Sequence, residues 1–216
     1  MKRFKGTWLP DEDTYFERHL DELGGFQTDH LHTALRHTPR RGLAVDIGAH
    51  VGTMTRILAR EFTTVVALEP DLDSFMCLLK NTESWANVTT IRAALGAHAG
   101  ACRVYRDLTR PGNTGAHFLV PTPDGGALMD TLDHLLPRLS LREPLDFVKI
   151  DVEGMEDDVL VGAADSFLKH RPTIMMEVKD LGRSGDYLAA DRRLKAMGAT
   201  PVDRVGKDVI YRWSDR

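Results

Sequence analysis

The chain has 216 residues and is short of cysteine, of aromatic residues and of long apolar runs. Cys77 and Cys102 are its two cysteines. Because they form no Cys-x-x-Cys pair, they predict neither a zinc site nor a disulfide framework. No stretch approaches the roughly 18 apolar residues that cross a bilayer, and no apolar core of signal length follows the basic N-terminus. We therefore expect a soluble, cytoplasmic protein without a membrane partner.

An excess of positive charge is also lacking. Lysine and arginine total 28 residues against 32 acidic residues, which gives a formal net charge of −4. This balance does not favour nucleic acid as a partner. The length is sufficient for one domain with a substantial core, preceded by a short extension.

The stretch from residue 43 to residue 60 has the pattern of a buried strand, a glycine turn and the start of a helix. An apolar run that contains one acid, Asp46, breaks at Gly48, and Gly52 follows before apolar residues recur at helical spacing. Glycine at both turn positions lets a ligand approach the backbone closely. The unpaired N–H groups at the start of the helix favour an anionic or polar group there.

Three interpretations of this turn compete. A dinucleotide fold requires Gly-x-Gly-x-x-Gly, and the turn that begins at Gly48 lacks the second and third glycines. The Asp-x-Gly-x-x-x-Gly spacing from Asp46 to Gly52 instead resembles motif I of class I methyltransferases that use S-adenosylmethionine. The third interpretation is an ordinary α/β turn that binds no ligand.

A second signal follows one βα step later. The apolar run at residues 62–68 ends in Glu69, Pro70 and Asp71, and Pro70 prevents the strand from continuing. Glu69 lies about 20 residues beyond the glycine turn, where a ribose-binding carboxylate belongs in such units. The alternative is an exposed acid that caps the helix beginning near Asp71. The separation of the two motifs favours the ribose.

The middle of the chain predicts a helix at residues 72–81, a strand at 88–95, a strand at 102–105 and a helix at 129–139. Ala93 and Ala94, near the end of the strand at 88–95, either leave room for a flat adenine or simply pack in the core. The segment at residues 107–127 is rich in proline, glycine and threonine and is long enough to close over a substrate. Within it, His117 is either a proton-transfer residue or a surface histidine.

Residues 1–41 are predicted to be a helical extension that covers the cofactor or substrate side of the domain at residues 42–216. The extension contains three histidines, His30, His32 and His37. His30 and His32 do not share a helix face, and no acid or cysteine nearby completes a metal set. We interpret these histidines as solvated or capping residues.

A third signal lies at residues 145–156, where an apolar strand ends in Asp151 and Glu153 before a glycine. Because ligands of open α/β sheets bind beyond the carboxyl ends of the strands, both acids are expected at the site. Further strands are predicted at residues 172–178, 200–204 and 208–213, and the last two form a hairpin across Gly206. A helix is predicted at residues 186–197.

Five segments together resemble the FkbM family of methyltransferases: Asp46-Ile-Gly-Ala-His-Val-Gly52, Glu69-Pro70, Thr131-Leu-Asp133, Lys149-Ile-Asp-Val-Glu-Gly-Met-Glu156 and Arg171-Pro-Thr-Ile-Met-Met-Glu177. The resemblance covers roughly residues 43–180. It implies an α/β, Rossmann-like class I methyltransferase fold, with a mostly parallel seven-stranded sheet and a C-terminal antiparallel hairpin. It also implies S-adenosylmethionine as methyl donor and, usually, oxygen as the acceptor atom, on a small molecule or a carbohydrate.

Under this interpretation Asp151 and Glu153 are the candidate catalytic residues. The candidate cofactor-binding residues are Asp46, Gly48, Ala49, His50, Gly52, Thr53, Glu69, Pro70, Ala93, Ala94 and Asp151. A less favoured mechanism places Mg²⁺ between Asp151, Glu177 and the acceptor. Two other functions remain open: a cofactor-binding partner protein without catalysis, and an NAD-dependent oxidoreductase.

Overall fold

The structure is a computed structural model that describes residues 1–20, 26–178 and 186–214. Its strands are β1 (Lys2–Phe4), β2 (Thr7–Leu9), β3 (Leu43–Ile47), β4 (Thr64–Leu68), β5 (Val88–Ile91), β6 (Ala93–Leu95), β7 (Gly100–Tyr105), β8 (Phe118–Pro121), β9 (Ala127–Asp130), β10 (Leu145–Ile150), β11 (Thr173–Glu177), β12 (Ala199–Val205) and β13 (Asp208–Trp213). Its helices are α1 (Tyr15–His19), α2 (Thr28–Arg36), α3 (Thr53–Glu61), α4 (Leu72–Thr82), α5 (Leu132–Arg138), α6 (Glu156–Val161), α7 (Ala164–His170) and α8 (Asp186–Ala196). A 3₁₀ turn spans Thr114–Ala116.

Seven strands form the central sheet, in the order β12-β13-β11-β10-β3-β4-β5. The strands from β11 to β5 pair in parallel, whereas β13 is antiparallel to both of its neighbours. The predicted seven-stranded sheet with a C-terminal hairpin is therefore confirmed. The chain runs outward from β3 through β4 to β5 and then returns to β10 on the other side of β3. The switch point between β3 and β10 is where such sheets bind their ligands.

Helices cover both faces of this sheet, which is why β3 and β10 are buried along their whole length. Successive residues of β3 alternate between the two cores: Val45 packs with α5 to α8, and Ala44 packs with α2 and α3. Each large apolar side chain removed from water in these cores contributes about 1.5–3 kcal/mol. The two cores therefore hold the strand ends, and the site built on them, in fixed positions.

Two predicted elements in the middle of the chain are wrong in their bounds. The predicted strand at residues 88–95 is two strands, because β5 pairs with β4 while β6 leaves the central sheet and pairs with β9. The residues at the start of the predicted helix 129–139 belong to β9, where Ala127 and Met129 are buried and Leu128 is exposed. Helix α5 begins only after Thr131, whose hydroxyl accepts from the amide of His134 at 3.1 Å.

The strands β6, β7, β8 and β9 make a second sheet of four strands, in the order β6-β9-β7-β8. Strand β8 lies inside the segment at residues 107–127, so this segment is only partly a loop. The antiparallel pairing of β8 with β7 sets its ends. The second sheet extends the fold beside the carboxyl ends of β4 and β5.

The N-terminal extension contains the β1–β2 hairpin in addition to α1 and α2. Leu9, Phe16 and Leu20 pack against Val51 and Cys77 of the central domain. The side chain of Asn81 accepts from the amide of Trp8 at 2.7 Å and donates to its carbonyl oxygen at 2.9 Å. The extension thus packs on the turn that follows β3. Among the described residues, no helix has both the length and the apolarity needed to cross a membrane.

Candidate active site

A cavity of about 400 Å³ opens at the carboxyl ends of the central strands, which is within the usual range for small-molecule sites. Most of the predicted site residues lie on its wall: Gly48, Ala49, His50, Thr53, Glu69, Pro70, Ala93, Ala94, Asp151 and Glu153. Asp46 and Gly52 do not. Several wall residues come from parts of the chain that the motifs did not include: Phe16, His30, Asn113, Thr114 and Asp208. Lys149 and Glu177, which lie within the motif segments, are also on the wall.

The turn after β3 packs directly on the end of β10. Gly48 has a φ of +75°, and a Cβ built on it would lie 1.9 Å from the carbonyl oxygen of Asp151. No side chain fits in that space. The amides of Gly48 and Ala49 both donate to the carbonyl oxygen of Leu68, at 3.0 and 2.9 Å. Because Gly48 has no side chain, the turn can pack closely between β10 and β4.

The side chain of Lys149 holds the same turn in place. Lys149 was not predicted as a site residue. Its Nζ donates to the carbonyl oxygen of Gly48 at 2.6 Å and lies 3.4 Å from Oδ1 of Asp46 and 3.6 Å from Oδ2 of Asp151. Burial opposes its charge, but the carboxylates of Asp46, Asp151 and Asp208 raise its pKa above the ordinary value. A lysine in a mostly apolar strand was the available signal, because buried lysines are rare unless paired.

Asp46 is fully buried beneath the turn. Its Oδ2 accepts from the Thr55 hydroxyl at 2.6 Å, and its Oδ1 faces the Lys149 ammonium. The carboxylate therefore ties β3 to α3 and β10. In this position Asp46 shapes the glycine turn without reaching the cavity wall.

Glu69 directly follows β4 and lies on the cavity wall. It is 7 % exposed, and its two oxygens accept from the amides of His50 and Asp71, each at 2.9 Å. Burial raises its pKa to about 7. The alternative of an exposed helix-capping acid is wrong for Glu69, because Asp71 caps α4 by accepting from the Ser74 amide at 2.9 Å.

His50 joins the glycine turn to the segments that cover it. Its Nε2 lies 2.7 Å from the Thr114 hydroxyl, which in turn donates to the carboxylate of Asp13. Burial lowers the pKa of His50 to about 4, so the imidazole is neutral. The ring of Phe16 packs on it with a centroid separation of 4.5 Å. One buried hydrogen-bonded chain thus links the extension, the segment at 107–117 and the turn after β3.

The predicted closing segment does contact the extension. The carbonyl oxygen of Gly112 accepts from the amides of Thr14 and Tyr15, both at 2.9 Å. The fully buried Asp13 also accepts from the Phe16 amide at 2.7 Å. His117 is not a surface residue: its side chain is 11 % exposed, and its Nδ1 lies 3.8 Å from Oδ2 of Asp71.

The two alanines of β6, Ala93 and Ala94, are core residues that also line the cavity. Leu95, Val104 and Leu119 line the wall with them. This part of the cavity is apolar and flanked by small side chains, which suits a flat base.

The opposite part of the cavity is acidic. Ligand oxygens of Asp151, Glu153 and Glu177 lie within 4.8 Å of one another, a spacing that could hold a divalent cation. Glu153 and Gly154 both have positive φ angles. The buried carboxylate of Glu156 accepts from the amides of Val152 and Gly154 at 3.3 and 3.1 Å and so holds this turn. Burial raises the pKa of Glu156 to about 7.

The interpretation of the three histidines as solvated or capping residues is correct for His37, which is the C-cap residue of α2, but it misses two side-chain pairs. Nδ1 of His30 lies 2.6 Å from Oδ2 of Asp208, and Nε2 of His37 lies 2.8 Å from Oδ2 of Asp203. Both acids belong to the C-terminal hairpin. The sequence separation is too large for any local pattern to reveal these pairs. Of the two, the pair of His30 and Asp208 lies on the cavity wall.

Comparison with solved structures defines the class of fold as Rossmann-like class I methyltransferase. A methyltransferase FkbM from Methylobacillus flagellatus is 18% identical, with a TM-score of 0.52 over 80% of this chain and 44% of that chain. A putative O-methyltransferase from Klebsiella pneumoniae is 14% identical, with a TM-score of 0.51 over 94% and 91%. A putative tRNA (m1A22) methyltransferase from Streptococcus pneumoniae is 11% identical, with a TM-score of 0.51 over 88% and 72%. At these identities the likeness concerns the fold.

A family comparison is more specific. Residues 129–199 match the family described as the methyltransferase FkbM domain, which confirms the predicted resemblance to the FkbM family. The matched segment includes β10, the acids that follow it and β11. No curated protein matches the chain. The chain spans 44% of the length of the Methylobacillus flagellatus protein.

Proposed function

We propose that this protein is an S-adenosylmethionine-dependent methyltransferase that methylates a hydroxyl oxygen of a small molecule or a carbohydrate. The observation that carries the proposal is the position of Glu69. Its buried carboxylate lies on the cavity wall one βα step past the glycine turn, and two amides orient it. A carboxylate in this place accepts hydrogen bonds from both hydroxyls of a ribose.

The rest of the wall fits the same ligand. Gly48 and Ala49 provide a turn without bulky side chains for the methionine end, and Ala93 and Ala94 flank the space for adenine. The bound donor would supply a methyl group on a sulfonium, which is a good leaving group. The residues of this chain would orient donor and acceptor and take up the hydroxyl proton.

Asp151 is the residue proposed nearest to the reacting methyl group, and Glu153 follows it. Both carboxylates lie on the cavity wall beyond the end of β10, where they can orient an acceptor hydroxyl by accepting its hydrogen bond. An acidic wall repels a phosphate backbone. It therefore favours a neutral hydroxylated acceptor over nucleic acid.

A metal-assisted mechanism is the second candidate, because the spacing of Asp151, Glu153 and Glu177 would suit Mg²⁺. Such an ion would lower the pKa of an acceptor hydroxyl. The two mechanisms differ in one measurement. Turnover that survives excess chelator removes the metal, whereas turnover that is lost with chelator and restored by Mg²⁺ supports it.

Calorimetry with S-adenosylmethionine and S-adenosylhomocysteine tests the donor, and NADH serves as the comparison ligand. We expect both sulfur compounds to bind and NADH to give no heat. Binding of NADH alone would favour an oxidoreductase. A screen of hydroxylated acceptors then follows the release of S-adenosylhomocysteine. Donor binding without release across the screen would favour the partner protein without catalysis.

A further inference from the structure

The pair of His30 and Asp208 lies in the half of the cavity where the acceptor is expected. Across the sheet, Glu69 follows β4, Gly48 follows β3, Asp151 follows β10, Glu177 ends β11 and Asp208 begins β13. The proposed ribose carboxylate is therefore on one side of the glycine turn, and the pair is on the other. Glu177 and Asp208 are paired residues of neighbouring strands.

The contact with Asp208 assigns the tautomer of a neutral His30. An ionised carboxylate only accepts hydrogen bonds, so at the 2.6 Å contact the proton of a neutral imidazole is on Nδ1. The other ring nitrogen, Nε2, then carries a lone pair. Among the described residues no hydrogen bond engages Nε2. The imidazole ring of His30 packs over Gly206: a Cβ added to this glycine would lie 3.1 Å from Cε1 and 3.7 Å from Nε2 of His30.

We propose that His30 accepts the proton of the acceptor hydroxyl and that Asp208 is its positioning residue. The inference rests on the proposed function. As the acceptor oxygen forms its bond to the methyl carbon, the carbon–sulfur bond breaks and its electron pair stays on sulfur, which becomes a neutral thioether. The hydroxyl proton moves to Nε2 of His30, and the imidazolium later releases it to water.

The surroundings favour this proton transfer. The imidazolium formed on His30 would be stabilised by Asp208, which contacts it, and by the carboxylates of Glu177 and Asp151 on the same cavity wall, whereas the ammonium groups of Lys207 and Lys149 on that wall oppose it. Asp208 is close enough for a charge-assisted hydrogen bond, which is about twice as strong as a neutral one. An imidazole held by a carboxylate is a common general base.

The chain provides a matched control for a purely structural role. His37 and Asp203 also join α2 to the C-terminal hairpin, with a 2.8 Å contact, but neither residue lies on the cavity wall. The test compares His30→Asn with His37→Gln. Each substitution keeps an amide donor where the bonded ring nitrogen was, so each retains its link to the hairpin. Only His30→Asn removes a base from the cavity.

Turnover is measured as release of S-adenosylhomocysteine with a panel of methyl glycosides and substituted phenols. We expect His30→Asn to lower kcat by about 10²–10³-fold, with the KM for S-adenosylmethionine changed less than about threefold. His37→Gln should stay within about twofold of the wild type, and Asp208→Asn should lose about as much as His30→Asn, because it shifts the proton to Nε2. Because acidic phenols need less help from a base, the loss in His30→Asn should shrink as the acceptor becomes more acidic.

The tautomer is tested without turnover. Nitrogen–proton correlation spectra of the ¹⁵N-labelled protein should show His30 protonated at Nδ1, and Asp208→Asn should move the proton to Nε2. A proton on Nε2 in the wild type would overturn the assignment. Full turnover by His30→Asn, or equal losses in His30→Asn and His37→Gln, would also overturn it while the proposed function stands. A wild-type protein that binds S-adenosylmethionine and methylates no acceptor overturns both.

Discussion

The two halves of the cavity differ in how many carboxylates they contain. In the half that contains Glu69, two backbone amides satisfy the buried carboxylate, and the neighbouring wall at Ala93 and Ala94 is apolar. In the other half, the carboxylates of Asp151, Glu153 and Glu177 crowd within 4.8 Å. The first half is arranged to hold a ligand in one position. The second half concentrates carboxylates, which accept hydrogen bonds and attract protons.

Lys149 connects the two halves, and its loss should have the largest effect. Lys149→Met keeps the length of the side chain but leaves the fully buried carboxylate of Asp46 without its cation. A buried charge that loses its partner costs about 3–5 kcal/mol. We expect the free energy of unfolding to fall by that amount in urea denaturation. The double substitution with Asp46→Asn should recover part of the loss, and no recovery would contradict the pairing.

Gly48 separates the halves at the level of the backbone. Gly48→Ala places a Cβ 1.9 Å from the Asp151 carbonyl oxygen at a φ of +75°. Clash and strain together should cost about 3 kcal/mol. Gly6 is the control, because its φ is +80° and no atom lies within 4 Å of its added Cβ. Gly6→Ala should therefore cost only about 1 kcal/mol by thermal unfolding. Equal costs would show that the contact with β10 is unimportant.

The charge of Glu69 should make donor binding depend on pH. Its pKa is raised to about 7 by burial, and the ionised form is the one that accepts from ribose. Affinity for S-adenosylhomocysteine should thus weaken as the pH falls below about 7, by at most tenfold per unit. Glu69→Gln should bind about tenfold more weakly at pH 8, because charge-assisted hydrogen bonds are lost. Its affinity should not change between pH 6 and pH 8.

The same pKa has the opposite consequence for folding. A carboxyl group whose pKa is higher in the folded chain binds its proton more tightly there. Glu69 therefore adds to the free energy of unfolding below about pH 4.5, and this contribution is lost as the pH rises to about 7. Glu69→Gln should remove that part of the pH dependence of the unfolding free energy.

The hydroxyl of Thr114 should have the smallest effect of the four. Thr114→Val breaks the chain from His50 to Asp13, which costs about 1 kcal/mol for a hydrogen bond of this kind. Calorimetry with S-adenosylhomocysteine should show a severalfold loss of affinity, since the cover is loosened. Thr122→Val removes a similar threonine–aspartate contact on the surface and should leave affinity unchanged. If Thr114→Val and Thr122→Val had the same affinity for S-adenosylhomocysteine, the contact between Thr114 and Asp13 would have no role in donor binding.

The parts of the site that the sequence predicted are those encoded locally. The turn at Gly48, the acid at position 69 and the acids after β10 each follow an apolar strand, so a short pattern places them at one edge of the sheet. The contacts of His30 and His37 depend instead on the packing of α2 against a hairpin at the other end of the chain. No local pattern contains that information.

The errors in the fold have a related cause. The strand predicted at residues 88–95 is continuous in composition, but β6 pairs with β9 and not with β4. Met129 belongs to a strand, in which the buried Ala127 and Met129 alternate with the exposed Leu128. This alternation covers too few residues to outweigh the helical pattern that follows it in the sequence. Propensity is a weak guide where a neighbouring strand decides the outcome.

The contact between Gly48 and the Asp151 carbonyl has a consequence for tracing descent. Because the backbone of β10 excludes a larger residue there, a descendant that had ceased to use any small molecule would still retain this glycine. The glycine therefore records ancestry, whereas Glu69, whose burial as a carboxylate is costly, would drift once its ligand was gone. If Glu69 binds the donor as proposed, the residue that follows β4 is the better marker of retained activity in distant relatives.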